Sequence, residues 1–219
     1  MLKRRALTVD ELRRLLEATL VRALRERQLV RAVPNKGKPV ARVKPVVRAR
    51  LERLGRERAL LYKAAFYTGF RRGELREMRV NHLTLDGSAP RISLPKELTK
   101  NKRDAHIPLR ADFASELTRW IDVAGLGQGD RLFMVPKRIA LVMRKDLEFA
   151  GIAYRDDRGR VADFHSLRKC MATHLNTQGV PIVTAKELLR HGTVELTAGV
   201  YNDAESHDLR TAVSKLPVL

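Results

Sequence analysis

The sequence predicts a mainly α fold of the α+β class: one helical domain over residues 1–219 that carries a small three-stranded antiparallel sheet. Three observations predict it. Apolar residues make up 44% of the 219, enough to build a core. They recur at helical spacing along most of the chain. Between His82 and Pro108 alone the period changes to two.

Thr8 and Glu11 have the spacing of a capping box, and Leu12, Leu15, Leu16, Leu20 and Ala23 continue at helical spacing to about Leu29. From 30 to 48 the pattern dissolves. Pro34, Gly37, Pro39 and Pro45 interrupt it, while Arg31, Lys36, Lys38, Arg42, Lys44 and Arg48 load it with charge. This basic, proline-rich loop reads either as an arm on a DNA backbone or as a plain solvated loop. Helical spacing resumes near Arg50, runs through Leu51, Leu54, Leu60, Leu61, Ala64, Ala65 and Phe66, and stops at Thr68-Gly69. Glycine permits a tight bend there, and a new helix begins with Arg71 in its first turn and Glu74 and Leu75 behind it.

Residues 83–85, 91–94 and 105–107 are the strand candidates, with Asp86-Gly87 as a turn and Lys100 in the turn before the last strand. Helices follow over about 111–123, where Phe113, Leu117, Trp120 and Ile121 share a face, and over about 136–150, 165–177 and 182–189. The tail, 203–219, holds the pattern of one last helix, and no repeat or low-complexity tract occurs.

The formal net charge is +19, with an isoelectric point near 10.9. That exceeds what solubility needs and points to a polyanionic partner, double-stranded DNA above all. The one cysteine, Cys170, excludes an internal disulfide and fits a reducing, cytoplasmic setting, where it reads as a small buried apolar residue. No apolar run approaches membrane-spanning length, so no membrane partner is expected.

The chemistry gathers in the stretch from Phe164 to Tyr201. His165 and Arg168, three residues apart, share one face of a helix and can hold an anion from one side. His191 and, ten residues on, Tyr201 can approach from another. An arginine, histidines and a phenol around one anion suit attack on a phosphodiester. His106, His174 and His207 read as ordinary structural histidines. No acidic cluster, His-x-His set or phosphate-cradling glycine loop is present, so no metal or other cofactor is expected.

Four boxes, in one order, resemble those of the tyrosine recombinases, the phage-integrase family. Thr68-Gly-Phe-Arg-Arg-Gly-Glu-Leu75 is similar to its first-arginine box, and Phe164-His-Ser-Leu-Arg168 to its His-x-x-Arg box. Leu189-Arg-His-Gly192 with Val200-Tyr-Asn202 is similar to its final histidine and nucleophile box, and Thr99-Lys100 to its hairpin lysine. The resemblance implies a tyrosine-recombinase catalytic domain that cleaves and rejoins DNA through a 3′-phosphotyrosine, without metal or ATP. It assigns Arg71, in preference to Arg72, and Arg168 to the phosphate, and Tyr201 to attack. It assigns Lys100, with Lys102 and Lys96 as rivals, to protonate the leaving oxygen, His165 to act as a base or phosphate donor, and His191 as a second donor to the transition state. Glu74 is expected to orient Arg71 or His165, or to form only a helix salt bridge. The flanking cations Arg72, Lys102, Arg103, Lys169 and Arg190 are read as DNA contacts.

The sequence departs from the family pattern where Arg190 replaces the usual glycine before the histidine, and where the gap to Tyr201 is one residue longer than usual. The family's N-terminal core-binding domain is expected to be absent. The resemblance further implies a homo-tetramer on DNA for a full-length protein, a monomer for this chain alone, and nucleoid association in the cytoplasm. A type IB topoisomerase is the alternative enzyme, and a DNA-binding module that no longer cleaves is the alternative from another class.

Overall fold

The computed structural model describes residues 3–29, 36–38 and 41–201, with Val200 and Tyr201 described by backbone alone. The tail helix expected over 203–219, and parts of the basic loop at 30–35 and 39–40, lie outside the described residues. Helix α1 (Val9–Gln28) opens on the capping box read from the sequence. Thr8 accepts the Glu11 N–H, and Glu11 returns the bond to the Thr8 N–H. Helix α2 (Pro45–Thr68) starts five residues earlier than the apolar spacing suggests. Pro45 occupies its first position, where a missing N–H costs nothing.

Helix α2 is the central element, packing against α1, α6 (Ser166–Thr177), α3 (Arg72–Glu77) and α4 (Ala111–Ala124). It meets α1 closely. A Cβ at Gly55 would stand 2.4 Å from the Leu20 carbonyl oxygen, so only glycine allows the two backbones to approach as they do. Leu61, Tyr62, Ala64 and Ala65 from α2 join Phe70, Leu75, Phe113, Leu117, Phe133 and Leu147 in one continuous core.

The sheet is antiparallel in the order β1 (Leu83–Thr84), β2 (Arg91–Leu94), β3 (Ala105–Pro108). Ile92 pairs with Ile107 and Leu94 with Ala105, and all four are buried, so period-two alternation puts one face on the core. The β2–β3 connection carries a short 3₁₀ turn, Lys96–Leu98, and then Lys100. After α4 come α5 (Ile139–Phe149), α6, α7 (Ile182–Leu189) and α8 (Val194–Tyr201). The helix α8 lacks a clear apolar stripe, and Val194 and Leu196 on it are exposed. Among the described residues no helix is long and apolar enough to cross a membrane.

One polar tie crosses this core. Asp146 on α5 is fully buried and accepts from Arg22 Nε at 2.6 Å, Arg58 Nη1 at 3.1 Å and the Tyr62 hydroxyl at 2.7 Å. Burial, reinforced by the carboxylate, holds the Tyr62 phenol well above its ordinary range. Cys170 is buried as expected, accepts the Leu7 N–H, and has its thiol pushed up to about 12 by burial.

Removing the carboxylate leaves two buried guanidinium groups without it. Asp146→Ala is therefore expected to cost about 3–5 kcal/mol of folding free energy, read by denaturant unfolding. A loss under about 1 kcal/mol would show that Arg22 and Arg58 are satisfied elsewhere.

Candidate active site

The site begins at a bend. Helix α2 ends at Gly69, whose φ of +59° is left-handed, and a Cβ there would crowd Met171 Sδ at 3.1 Å. The buried Thr68 hydroxyl accepts the Phe70 N–H and tightens the turn. Arg71 follows as the N-cap of α3, one residue before the helix rather than inside its first turn. Glu74, 2% exposed, accepts the Arg71 N–H at 2.8 Å and Arg71 Nη1 at 3.3 Å. Its remaining partners are the Lys100 N–H at 3.3 Å and Arg190 Nη2 at 2.8 Å. The carboxylate thus joins the first arginine, the hairpin lysine's loop and the end of α7. Of the two partners expected for it, Arg71 is the one that these contacts hold.

Arg168 enters from α6 and is 5% exposed. Its two terminal nitrogens donate to the carbonyl oxygens of Gly69 and Leu189, so the guanidinium ties the α2–α3 bend to the end of α7. Burial lowers its pKa to about 9, and the neighbouring charges of Arg71 and Arg190 act in the same direction. It remains a cation at neutral pH.

His165 stands just before α6 as its N-cap residue and lines a cleft of about 170 Å³ with Phe70, Arg72, Asp163 and Arg168. Desolvation, then the charges of Arg4 and Arg168, hold its imidazole below the ordinary histidine range. His191 follows α7, and its Nδ1 lies 2.9 Å from the hydroxyl of buried Thr197 on α8. Desolvation first, then Arg168, Arg71, His165 and Arg190, push its pKa down to about 4. A histidine held neutral beside cations can accept a proton or a hydrogen bond.

Arg71, Arg168, His165 and His191 are therefore close enough to act on one another electrostatically. Lys100 lies on the adjoining loop with an exposed side chain, and the buried Thr99 hydroxyl holds that loop through bonds to Lys96 and Arg103. Tyr201 closes α8 one turn beyond Thr197; its side chain lies outside the described residues.

The expected DNA contacts divide. Arg72, Lys102 and Arg103 are exposed beside the site. Lys169 is not a free surface cation: its ammonium donates to the Arg4 carbonyl at 2.8 Å and lines a separate cleft with Arg5, Glu11 and Asp156. Arg190 is not on the surface either, being 9% exposed with its guanidinium 4.1 Å from the Phe70 ring centroid. Its pairing with Glu74 spans 116 residues of sequence, so spacing gave no sign of it. The available signal was an arginine at the residue ending a helix, where glycine is usual. Among the described residues no group of three or more His, Cys, Asp or Glu side chains could hold a metal ion.

The sequence model of the phage integrase family matches residues 47–213. A tyrosine recombinase of Pseudothermotoga lettingae is 28% identical over 162 residues, covering 72% of this chain and 53% of the relative. Among solved structures, the XerH site-specific recombinase bound to palindromic difH substrate in a post-cleavage complex superposes with a TM-score of 0.64 at 20% identity. That match covers 98% of this chain and 54% of the other. The catalytic domain of bacteriophage HP1 integrase gives a TM-score of 0.59 at 19% identity, over 99% and 97%. A lambda integrase tetramer bound to a Holliday junction gives 0.60 at 18%, over 94% and 50%. The chain spans about half the length of the Pseudothermotoga relative and of XerH.

The neutral state of His191 has a consequence for stability. The unfolded imidazole takes up a proton near 6.5, the folded one only near 4. Between those values the unfolded chain binds more protons, so stability falls as pH falls from about 6.5 to 4. His191→Gln is expected to flatten this dependence of the melting temperature across that window. An unchanged slope would show that the fold does not hold this imidazole neutral.

Proposed function

The chain belongs to the phage integrase family, and on that premise we propose that it is the catalytic part of a site-specific DNA recombinase that cuts and rejoins strands through Tyr201. The observation that carries the reading is the convergence of two guanidinium groups, two imidazoles and a lysine-bearing loop around one bend of the chain. A phosphodiester resists attack because its charge repels nucleophiles and its alkoxide leaves poorly. Arg71 and Arg168 offer fixed, planar donors to the non-bridging oxygens, where charge grows in the transition state.

In this reading the Tyr201 oxygen attacks phosphorus as the bond from phosphorus to the 5′-oxygen breaks. The phenolic proton passes to a neutral histidine, His191 or His165, and Lys100 gives a proton to the departing 5′-oxygen. The product is a 3′-phosphotyrosine and a free 5′-hydroxyl. The covalent link conserves the bond's energy, so a second 5′-hydroxyl rejoins the strand by the reverse steps with no ATP. The two arginines and the lysine serve the role that a divalent ion serves in other phosphoryl-transfer sites.

Double-stranded DNA is the partner, and the net charge of +19 is its electrostatic counterpart. A full-length protein would assemble as a tetramer on two sites, the chain alone as a monomer. Such an enzyme works in the cytoplasm, at the nucleoid.

Mixing the chain with a nicked duplex of its target should give a protein–DNA adduct that survives SDS, in EDTA as well as without it. Tyr201→Phe should abolish the adduct and leave duplex binding intact. An adduct that persists in the variant would assign another nucleophile, and one that disappears with EDTA would mean that a metal ion takes part.

A further inference from the structure

Arg190 is placed at some cost. Its φ of +52° is left-handed, a conformation that side chains with a Cβ rarely adopt. Its guanidinium is buried, and its Nε and Nη1 meet no acceptor among the described residues. A residue held in this way, at the edge of a functional cluster, calls for a functional account.

Glu74 supplies one. Its carboxylate sits between two arginines that differ in exposure. The Arg190 side chain is 6% exposed and its Nη2 lies 2.8 Å from Oε2. The Arg71 side chain is 26% exposed and its Nη1 lies farther away, 3.3 Å from Oε1. A buried carboxylate requires a counter-charge. With Arg190 as the inner and closer cation, the outer one is not needed to neutralise the acid. We propose that Arg190 is a positioning residue: it provides the counter-charge for Glu74, so that Arg71 is oriented by the carboxylate while its charge stays available to a DNA phosphate.

This rests on the strand-cleavage reading only for what Arg71 does next; the division of charge around Glu74 is independent of it. Burial lowers the Arg190 pKa to about 10, which leaves it charged at neutral pH. Phe70 presents its ring face to the guanidinium, a contact that favours a cation there.

The test is a double-substitution cycle with two readouts. In the active chain, Arg190→Met should slow adduct formation about tenfold or more, because the uncompensated Glu74 then captures Arg71. Adding Glu74→Gln should restore most of the rate, and Arg190→Lys should retain most of it. In a Tyr201→Phe background, where no cleavage is needed, duplex affinity should follow the same order. Thermal unfolding of each variant separates these effects from loss of the fold. A double variant no faster and no tighter than Arg190→Met would overturn the proposal, as would a recovery that only tracks a recovered melting temperature, since glutamine also relieves a merely structural buried charge. If the affinities follow the pattern and the active chain forms no adduct, the strand-cleavage reading fails and this inference stands.

Discussion

A carboxylate buried among cations is the constraint on which the rest of this structure depends. Isolated, the charge of Glu74 would be costly to take out of water, by several kcal/mol even after relaxation. Three segments far apart in the chain solve that problem together: the α2–α3 bend through Arg71, the β2–β3 connection through the Lys100 N–H, and the end of α7 through Arg190. The acid thus draws its partners from three distant segments, and the fold brings those segments together around one carboxylate.

The molecule contains a second buried carboxylate, and the contrast is instructive. Asp146 is enclosed by Arg22, Arg58 and the Tyr62 hydroxyl, all of them buried. Every charge there is spent on the fold. Around Glu74 the arrangement is asymmetric, with one arginine buried and the other partly open to solvent. Arg168 is asymmetric in another sense. Two carbonyl oxygens fix its orientation, and a guanidinium with five N–H groups keeps donors in reserve. Positive charge that is held rigid but not neutralised is what a phosphate site requires.

Most of the helices were legible because their apolar positions are local. The capping box at Thr8 and Glu11 and the alternation of Ile92, Leu94, Ala105 and Ile107 are visible within a few residues of sequence. What escaped depends on distant partners. Arg22 and Arg58 look like solvent-facing positions on amphipathic helices until Asp146, 124 and 88 residues away, accepts from them. Arg190 looks like a surface cation until Glu74 accounts for it, and Lys169 until the Arg4 carbonyl does. The helix carrying Tyr201 escaped because its neighbours hold it: it packs on α6 and α7, and Thr197 meets His191. The identities of Arg71, Arg168, His165 and His191 were readable as boxes; the carboxylate that joins three of the segments was readable only in part.

The most direct measurement is a structure of the Tyr201→Phe chain on its target duplex. The account predicts one backbone phosphate with its non-bridging oxygens at about 3 Å from guanidinium nitrogens of both Arg71 and Arg168. It also predicts that Arg190 remains on Glu74 and off the DNA. A phosphate bound elsewhere, with Arg71 still folded onto Glu74 and facing no oxygen of the DNA, would contradict it.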